Sequence, residues 1–332
     1  MGNSILGQAR ISSGSNRFQR LFRHGDRPWQ LLLIAVSALT LVLMLAIGYL
    51  LWQQSGDARA KFGLGFILPQ AESSWDPVQE NFNTWPFIYG TLVTSLVAIA
   101  LALPTGLGIA IFLAELCPEW LRLPLGLLVE LLAAIPSVVY GLWGIFIFLP
   151  AVIAPMGDFL GTSLGFIPLF SGTISPSGAS RLAAALILAI MIIPTISAVS
   201  RDVLQAIPPS QREASLALGA TKWETIWKVL MPYGLSGILG AVILGLGRAI
   251  GETMAVTMVI GNSIEGSVSL LRPGYTMSSV IANEFAEAVN PMHTQVLIEV
   301  GLVLFFITLV LNVIARYLVW QVSRRNSREA RA

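Results

Sequence analysis

Six long apolar runs alternate with polar connections along this chain. As an α-helix, which rises about 1.5 Å per residue, each run is long enough to cross the roughly 30 Å hydrocarbon core of a bilayer or nearly so. The pattern therefore predicts an all-α integral membrane fold. The six transmembrane helices are predicted at Leu31–Leu51, Ile88–Ala114, Leu123–Leu149, Leu182–Val199, Leu235–Ile260 and Val296–Val319.

The composition agrees with a lipid environment. Hydrophobic residues make up 55% of the chain and charged residues only 11%, so a soluble globule of this sequence would expose large apolar patches. The net charge of +2 is small, which predicts membrane lipid and not nucleic acid as a partner. The one cysteine, Cys117, excludes an internal disulfide, and the two histidines, His24 and His293, are far apart in sequence. We therefore predict no metal site and no cofactor.

Basic residues at the two ends predict the orientation. An even number of spans puts both termini on one side of the membrane. Residues 1–30 carry five arginines against one aspartate, and residues 321–332 carry four against one glutamate, whereas residues 150–180 contain no lysine or arginine. By the positive-inside rule, both tails are predicted to be cytoplasmic.

Two charges interrupt the fifth apolar run. Arg248 and Glu252 lie within the segment GRAIGETMA, four residues apart, so a continuous helix would present both on one face. An ionised side chain deep in a bilayer costs several kcal/mol unless it is paired or faces water, and such residues usually mark a substrate or ion pathway. The alternative is an ion pair that only stabilises the bundle. Glu130, in the third run, has the same two open interpretations.

Prolines and glycines indicate a packed bundle of helices. Pro104, Pro136 and Pro194 each lie inside an apolar run, where the freed backbone groups need neighbouring helices as partners. The fifth run adds small residues that allow close helix contact: Gly237, Gly240, Gly245, Gly247 and Gly251.

The connection from residue 200 to residue 232 is predicted to contain two short helices. Pro208 and Pro209 stop the incoming helix, and the capping-box pattern from Ser210 to Glu213 begins a helix that is predicted to end at Gly219. A second capping box begins at Thr221. We call this helix–turn–helix, residues 210–231, the knob. It either fits a groove on a soluble partner or rests on lipid headgroups.

The knob carries a recognisable motif. Its order is Glu213-Ala214-Ser215, three residues, Gly219, nine residues, then Val229-Leu230-Met231-Pro232. This order resembles the EAA loop of permeases from binding-protein-dependent ABC importers, with modest departures at Ser215, Val229 and Met231. The resemblance implies that the loop couples the permease to an ATPase through Glu213, Ala214, Gly219 and Pro232.

Three further segments extend the resemblance over most of the chain. NTWPFIYGTLVTS at 83–95, AAIPSVVYGLWG at 133–144 and GRAIGETMAVTMVIGN at 247–262 are similar to the PstC-type permeases of phosphate ABC importers. The resemblance implies a type I ABC importer transmembrane domain over residues 31–320, in the inner membrane of a bacterial cell. It implies a PstA-like permease subunit as heterodimer partner, a dimer of ATP-binding subunits and a periplasmic phosphate-binding protein. Phosphate would be attracted by Arg248 and filtered by Glu252.

The sequence also predicts that this chain is not itself the ATPase. A phosphate-binding P-loop needs glycine directly before its lysine, but Lys61, Lys222 and Lys228 follow alanine, threonine and tryptophan. Two other functions stay open: a permease for another oxyanion such as molybdate or sulfate, and an ATP-independent anion carrier or channel.

Overall fold

The computed structural model describes residues 26–70, 75–264 and 266–329. Three π-helical segments continue longer helices: Phe112–Leu116, Gly144–Ile153 and Ile226–Leu230. Two short strands, β1 (Trp75–Asp76) and β2 (Asn81–Phe82), pair antiparallel. The α-helices are α1 (Asp26–Gln54), α2 (Gly56–Phe62), α3 (Trp85–Ile111), α4 (Glu119–Ala134), α5 (Ser137–Trp143), α6 (Ala154–Leu164), α7 (Arg181–Gln205), α8 (Pro209–Ala217), α9 (Lys222–Thr225), α10 (Met231–Gly251), α11 (Met254–Val259), α12 (Met277–Glu284) and α13 (Pro291–Glu329).

Six helical segments of the described chain are long and apolar enough to cross a membrane, which confirms the predicted fold class. They are Trp29–Gln54, Trp85–Leu116, Ser137–Leu164, Arg181–Gln205, Lys222–Gly251 and Pro291–Gln321. The first, second, fourth and sixth contain the predicted spans. The third and fifth differ from the prediction.

By its internal contacts the chain divides into residues 1–50 and 51–332. The described part of the first unit is a single apolar helix, most of α1, whose side chains are nearly all exposed. The tail arginines lie outside the residues whose side chains are described, as does His24, so the predicted orientation stays a prediction. The domain limits at residues 30 and 320 also stay predictions.

The two differing spans are wrong as continuous helices. Within Leu123–Leu149, α4 ends and α5 begins around Ile135 and Pro136, whose ψ angles of 128° and 138° are extended. Proline lacks an N–H and disfavours the helical conformation in the residue before it. Within Leu235–Ile260, the break lies at Glu252, with a ψ of 127°.

Helix α7 is the central helix of the second unit. In its most apolar window, 67% of the residues are buried, compared with at most 33% in each of the other candidate spans. It packs against α3 and α10, where Gly106 and Gly245 both face Ile196 at distances of 3.1 Å from the position of an added Cβ. Of the fifth-run glycines, Gly237 also approaches α7. The other three have no described atom within 4 Å of such a Cβ.

The end of the bundle opposite the knob is covered by a small aromatic layer. His293 is buried, and its ring stacks on Phe82 with 5.7 Å between centroids. Glu284 accepts hydrogen bonds from the Trp75 indole at 2.8 Å and contacts His293 Nε2 at 3.0 Å. These contacts hold β1, β2, α12 and the start of α13 together.

The carboxyl of Glu80, which lies outside the spans, has a clearly shifted pKa. Hydrogen bonds from Lys61 and Asn290, together with the positive charge of Lys61, lower the pKa of Glu80. Lys61 lies on α2 and Asn290 lies directly before α13, so Glu80 connects α2 to the start of α13.

The close contact at Gly90 gives a stability prediction. A Cβ at this position of α3 would lie 2.0 Å from the backbone oxygen of Tyr275, which cannot move aside as a side-chain end can. Although alanine is the better helix former, we expect Gly90→Ala to destabilise the fold by about 1–3 kcal/mol through overpacking. Thermal unfolding of the detergent-purified protein measures this effect.

Gly108→Ala is the matched control for that substitution. It lies in the same helix, but no described atom is within 4 Å of its added Cβ. We expect no loss of stability in this variant. Equal melting temperatures for the two variants would contradict the close contact between Gly90 and Tyr275.

Candidate functional site

Arg248 lies in the last turn of α10, where it contacts two other helices. Its Nη1 donates to the Thr195 hydroxyl at 3.2 Å, and its Nη2 donates to the Ala133 carbonyl at 3.5 Å. Ala133 is the penultimate residue of α4, and Thr195 follows Pro194 in α7. The guanidinium therefore lies beside the C-terminal end of α4 and beside the residue that follows Pro194 in the sequence of α7. Its own helix, α10, ends three residues later.

Arg248 forms no ion pair with any described residue of this chain. Among the described residues, no carboxylate lies within 4.0 Å of its nitrogens, and both recorded partners are neutral oxygens. The C-terminal ends of α4 and α10 contribute only partial negative charge. Because a guanidinium carries five N–H donors in a rigid fork, donors remain for the oxygens of an anion.

Two glycines give α10 an open surface next to Arg248 in the sequence. Arg248 is half-buried, and Gly247 and Gly251 lie on either side of it along α10. At both glycines, no atom of the described chain is within 4 Å of the position of an added Cβ. The half-buried charge thus borders an open surface and is not sealed in the core.

The predicted helix does not continue past Glu252. The extended backbone of this residue ends α10, and its Oε1 accepts a hydrogen bond from the Ala255 N–H at 3.3 Å, in the first turn of α11. The terminal carbonyls of α10 have other partners, since Ser278 donates to Ile250 at 3.1 Å. These partners stabilise the break, which the apolar sequence pattern does not reveal.

The first knob helix is separate as predicted, but the prediction of a second short helix is wrong, because α9 continues through the π-helical segment Ile226–Leu230 into α10. Only one of the two predicted caps is present. Thr221 and Glu224 form the reciprocal capping box at the start of α9, as predicted. The predicted box at Ser210 is wrong, because α8 already begins at Pro209 and no side chain caps it. Proline at the first helical position has no N–H that needs a partner. Gly219, with a φ of +88°, makes the turn after α8.

The predicted coupling residues lie on the surface of the knob and just beyond it. Glu213, Ala214, Gly219 and Pro232 are all exposed. Leu218 is 90% exposed, although it is a large apolar side chain in a compact turn.

Three polar residues have partners that were not predicted. Glu130, whose role the sequence left open, accepts a hydrogen bond from Arg201 of α7 at 2.9 Å. Glu115 accepts hydrogen bonds from Arg212, which lies 97 residues further along the chain. Thr195 was missed as a neighbour of Arg248. The only sequence signal for it is its position directly after Pro194.

Comparison with known proteins places this geometry in a family. Residues 106–328 match the family model "Binding-protein-dependent transport system inner membrane component". Among curated relatives, the phosphate transport system permease protein PstC of Mesorhizobium japonicum is 44% identical over 293 residues, covering 88% of this chain and 89% of that protein. The PstC protein of Pasteurella multocida is 46% identical over 277 residues, covering 83% and 85%.

Solved structures support the fold. A bacterial alginate ABC transporter in complex with an alginate-bound periplasmic protein aligns with a TM-score of 0.60 at 17% identity, covering 91% of this chain and 98% of that chain. The MetNI methionine ABC transporter aligns with a TM-score of 0.53 at 19% identity, covering 75% and 99%. This chain therefore belongs to the family of inner-membrane permease components of binding-protein-dependent ABC transporters.

Proposed function

We propose that this chain is the PstC-type permease subunit of a phosphate importer in a bacterial inner membrane. It moves inorganic phosphate into the cell, and ATP is hydrolysed on a separate subunit. The observation that carries this proposal is the 44% identity to a curated phosphate permease over 88% of the chain. Both termini, and with them the knob, face the cytoplasm.

The permease works with other subunits of an ABC transporter. We assign it a PstA-like permease as heterodimer partner, a dimer of ATP-binding subunits below the knob and a periplasmic phosphate-binding protein on the opposite side. The exposed Leu218 and the glycine-lined surface of α10 beside Gly247 and Gly251 support such partners, since both are accessible and apolar or small.

Phosphate passes the guanidinium of Arg248 on its way through the membrane. Because the partners of the guanidinium are neutral oxygens, its positive charge attracts an anion. One arginine binds that anion weakly enough to release it, as transport requires. Glu252 lies directly after the end of the same helix. Its carboxylate accepts a hydrogen bond from a protonated phosphate and repels fully deprotonated or more highly charged anions.

Transport follows an alternating-access cycle. The loaded binding protein docks opposite the knob, and ATP closes the ATPase dimer. The movement reaches the membrane helices through the knob, which is held by a buried apolar cluster with residues from the end of α3, from α7 and its exit, from the segment after α9, and from α10. The cluster is Ala110, Ile111, Ala114, Leu204, Ile207, Ile226, Leu230 and Ile238.

Uptake of labelled phosphate tests the substrate and the energy source. In cells that depend on this chain, we expect ATP-dependent phosphate uptake that a tenfold excess of molybdate or sulfate leaves largely unchanged. Strong competition by either anion would identify a permease for that oxyanion. Full uptake in cells that lack the ATP-binding subunit would instead identify an ATP-independent carrier. The same cells carrying an empty vector give the background.

A further inference from the structure

Arg212 has an unusually complete set of hydrogen bonds for a residue in a surface loop. Its Nη2 and Nε donate to Glu115 Oε1 at 2.7 and 3.0 Å, and Nε also approaches Oε2 at 3.2 Å. Its Nη1 donates to the Ile207 carbonyl at 2.7 Å, and Nη2 donates to the Leu204 carbonyl at 2.6 Å. The side chains of Arg212 and Glu115 are only 22% and 14% exposed.

These bonds join three separate elements. Arg212 belongs to α8 of the knob, and Glu115 belongs to the π-helical segment that ends the span begun by α3. Leu204 lies in the last turn of α7, and Ile207 follows it. The carbonyls at the end of a helix lack intrahelical partners and carry partial negative charge, so a guanidinium is a favourable cap for α7.

The side chain of Arg212 points into the protein, away from the exposed EAA-like surface of the knob. Glu213 and Ala214 are exposed, while Arg212 and Ser215 are half-buried. Ser215 extends the inward connection, because its hydroxyl lies 2.9 Å from that of Thr225 in α9. One short helix thus has an outer face toward solvent and an inner face bonded to two membrane helices.

We propose that Arg212 and Glu115 are positioning residues that transmit the movement of the knob to α3 and α7. This inference rests on the proposed function, in which an ATPase moves the knob. A rigid, two-pronged contact between a guanidinium and a carboxylate fixes direction as well as distance. Without the contact between Arg212 and Glu115, the ATPase still docks on the outer face of the knob. Closure of the ATPase dimer then moves α8, but α3 and α7 do not move with it.

The test is the ratio of phosphate imported to ATP hydrolysed by the complete complex in proteoliposomes. Glu115→Gln keeps the size of the side chain but removes its charge, and Arg212→Lys keeps a charge but loses the fork. We expect the complexes to assemble and to hydrolyse ATP, while phosphate imported per ATP falls about tenfold, within the usual range for coupling between sites. The amount of co-purified ATPase normalises each measurement.

Glu130→Gln is the matched control. It makes the same substitution in another glutamate that pairs with an arginine across two elements, at 2.9 Å from Arg201, but the knob takes no part in that pair. We expect its ratio to equal that of the wild type. The exchange of charges in Glu115→Arg/Arg212→Glu should recover part of the ratio, since the ion pair returns without the carbonyl contacts.

Three results would overturn the inference. If import and ATP hydrolysis fall in proportion, the pair affects only the number of active complexes. If neither Glu115→Gln nor Arg212→Lys assembles, the pair serves folding. If Glu130→Gln lowers the ratio equally, any ion pair between helices matters. A wild-type complex that imports no phosphate would instead refute the proposed function.

Discussion

Arg248→Gln is expected to lower phosphate uptake by about 100-fold while the variant still reaches the membrane and binds its ATPase. Glutamine can still donate to one neutral oxygen, as Arg248 now does to Thr195, so the helix contacts are largely kept. What is lost is the charge and the donor fork. A hydrogen bond to a charged group contributes roughly 1.5–3 kcal/mol, and each 1.4 kcal/mol corresponds to about a factor of ten.

The measurement is initial uptake of labelled phosphate per unit of assembled complex. Arg316→Gln is the matched control, because Arg316 is exposed on α13 and the same substitution there removes a charge outside the site. Arg248→Lys should retain intermediate uptake, since it keeps the charge without the fork. Wild-type uptake by Arg248→Gln would reduce the residue to a structural link between α4, α7 and α10.

Glu252→Gln belongs in the same experiment. A glutamine retains an oxygen that accepts a hydrogen bond from the Ala255 N–H, so the start of α11 stays capped. If the carboxylate acts only as that cap, uptake by this variant equals uptake by the wild type. If it filters anions by its charge, phosphate uptake changes while the amount of complex does not. The substitution therefore separates the two roles of Glu252.

Apolar periodicity was sufficient to predict the fold class and the six membrane-spanning segments, but not where the helices break. Pro104 and Pro194 lie inside unbroken helices α3 and α7, whereas Pro136 separates α4 from α5. The same residue type gives different results because the neighbours that satisfy the freed backbone groups come from distant parts of the chain. The break at Glu252 has no proline at all.

Of the candidate site, the sequence predicted the charged residues Arg248 and Glu252 but not the neutral residues around them. Arg248 stands out because ionised residues are rare in apolar runs, and this signal is local. Its neighbours Ala133 and Thr195 lie 115 and 53 residues away and are ordinary residues for a membrane helix. Arg212 is an ordinary loop arginine in sequence, and only the folded chain brings it to Glu115. Partners of this kind depend on tertiary packing, which a single sequence does not contain.

Gly219→Val is expected to reduce both ATPase binding and phosphate uptake by roughly 30-fold. Gly219 has a φ of +88°, a conformation that costs L-residues about 1–2 kcal/mol and β-branched residues more. Since no described atom lies within 4 Å of an added Cβ, the chain itself leaves room for a side chain. The loss would therefore come from a distorted turn and from bulk on the surface that the ATPase covers.

Gly219→Asn distinguishes these two causes. Asparagine tolerates the left-handed conformation, so the turn between α8 and α9 should keep its shape while the surface still gains a side chain. Co-purification of the ATPase with each variant, followed by uptake, provides the measurement. If Asn restores binding and Val does not, the backbone conformation is what the partner requires. If both variants bind poorly, the partner requires a surface without a side chain. Full binding and uptake by Gly219→Val would show that the knob is not the docking surface, and the coupling role of Glu213 and Ala214 would then lose its support as well.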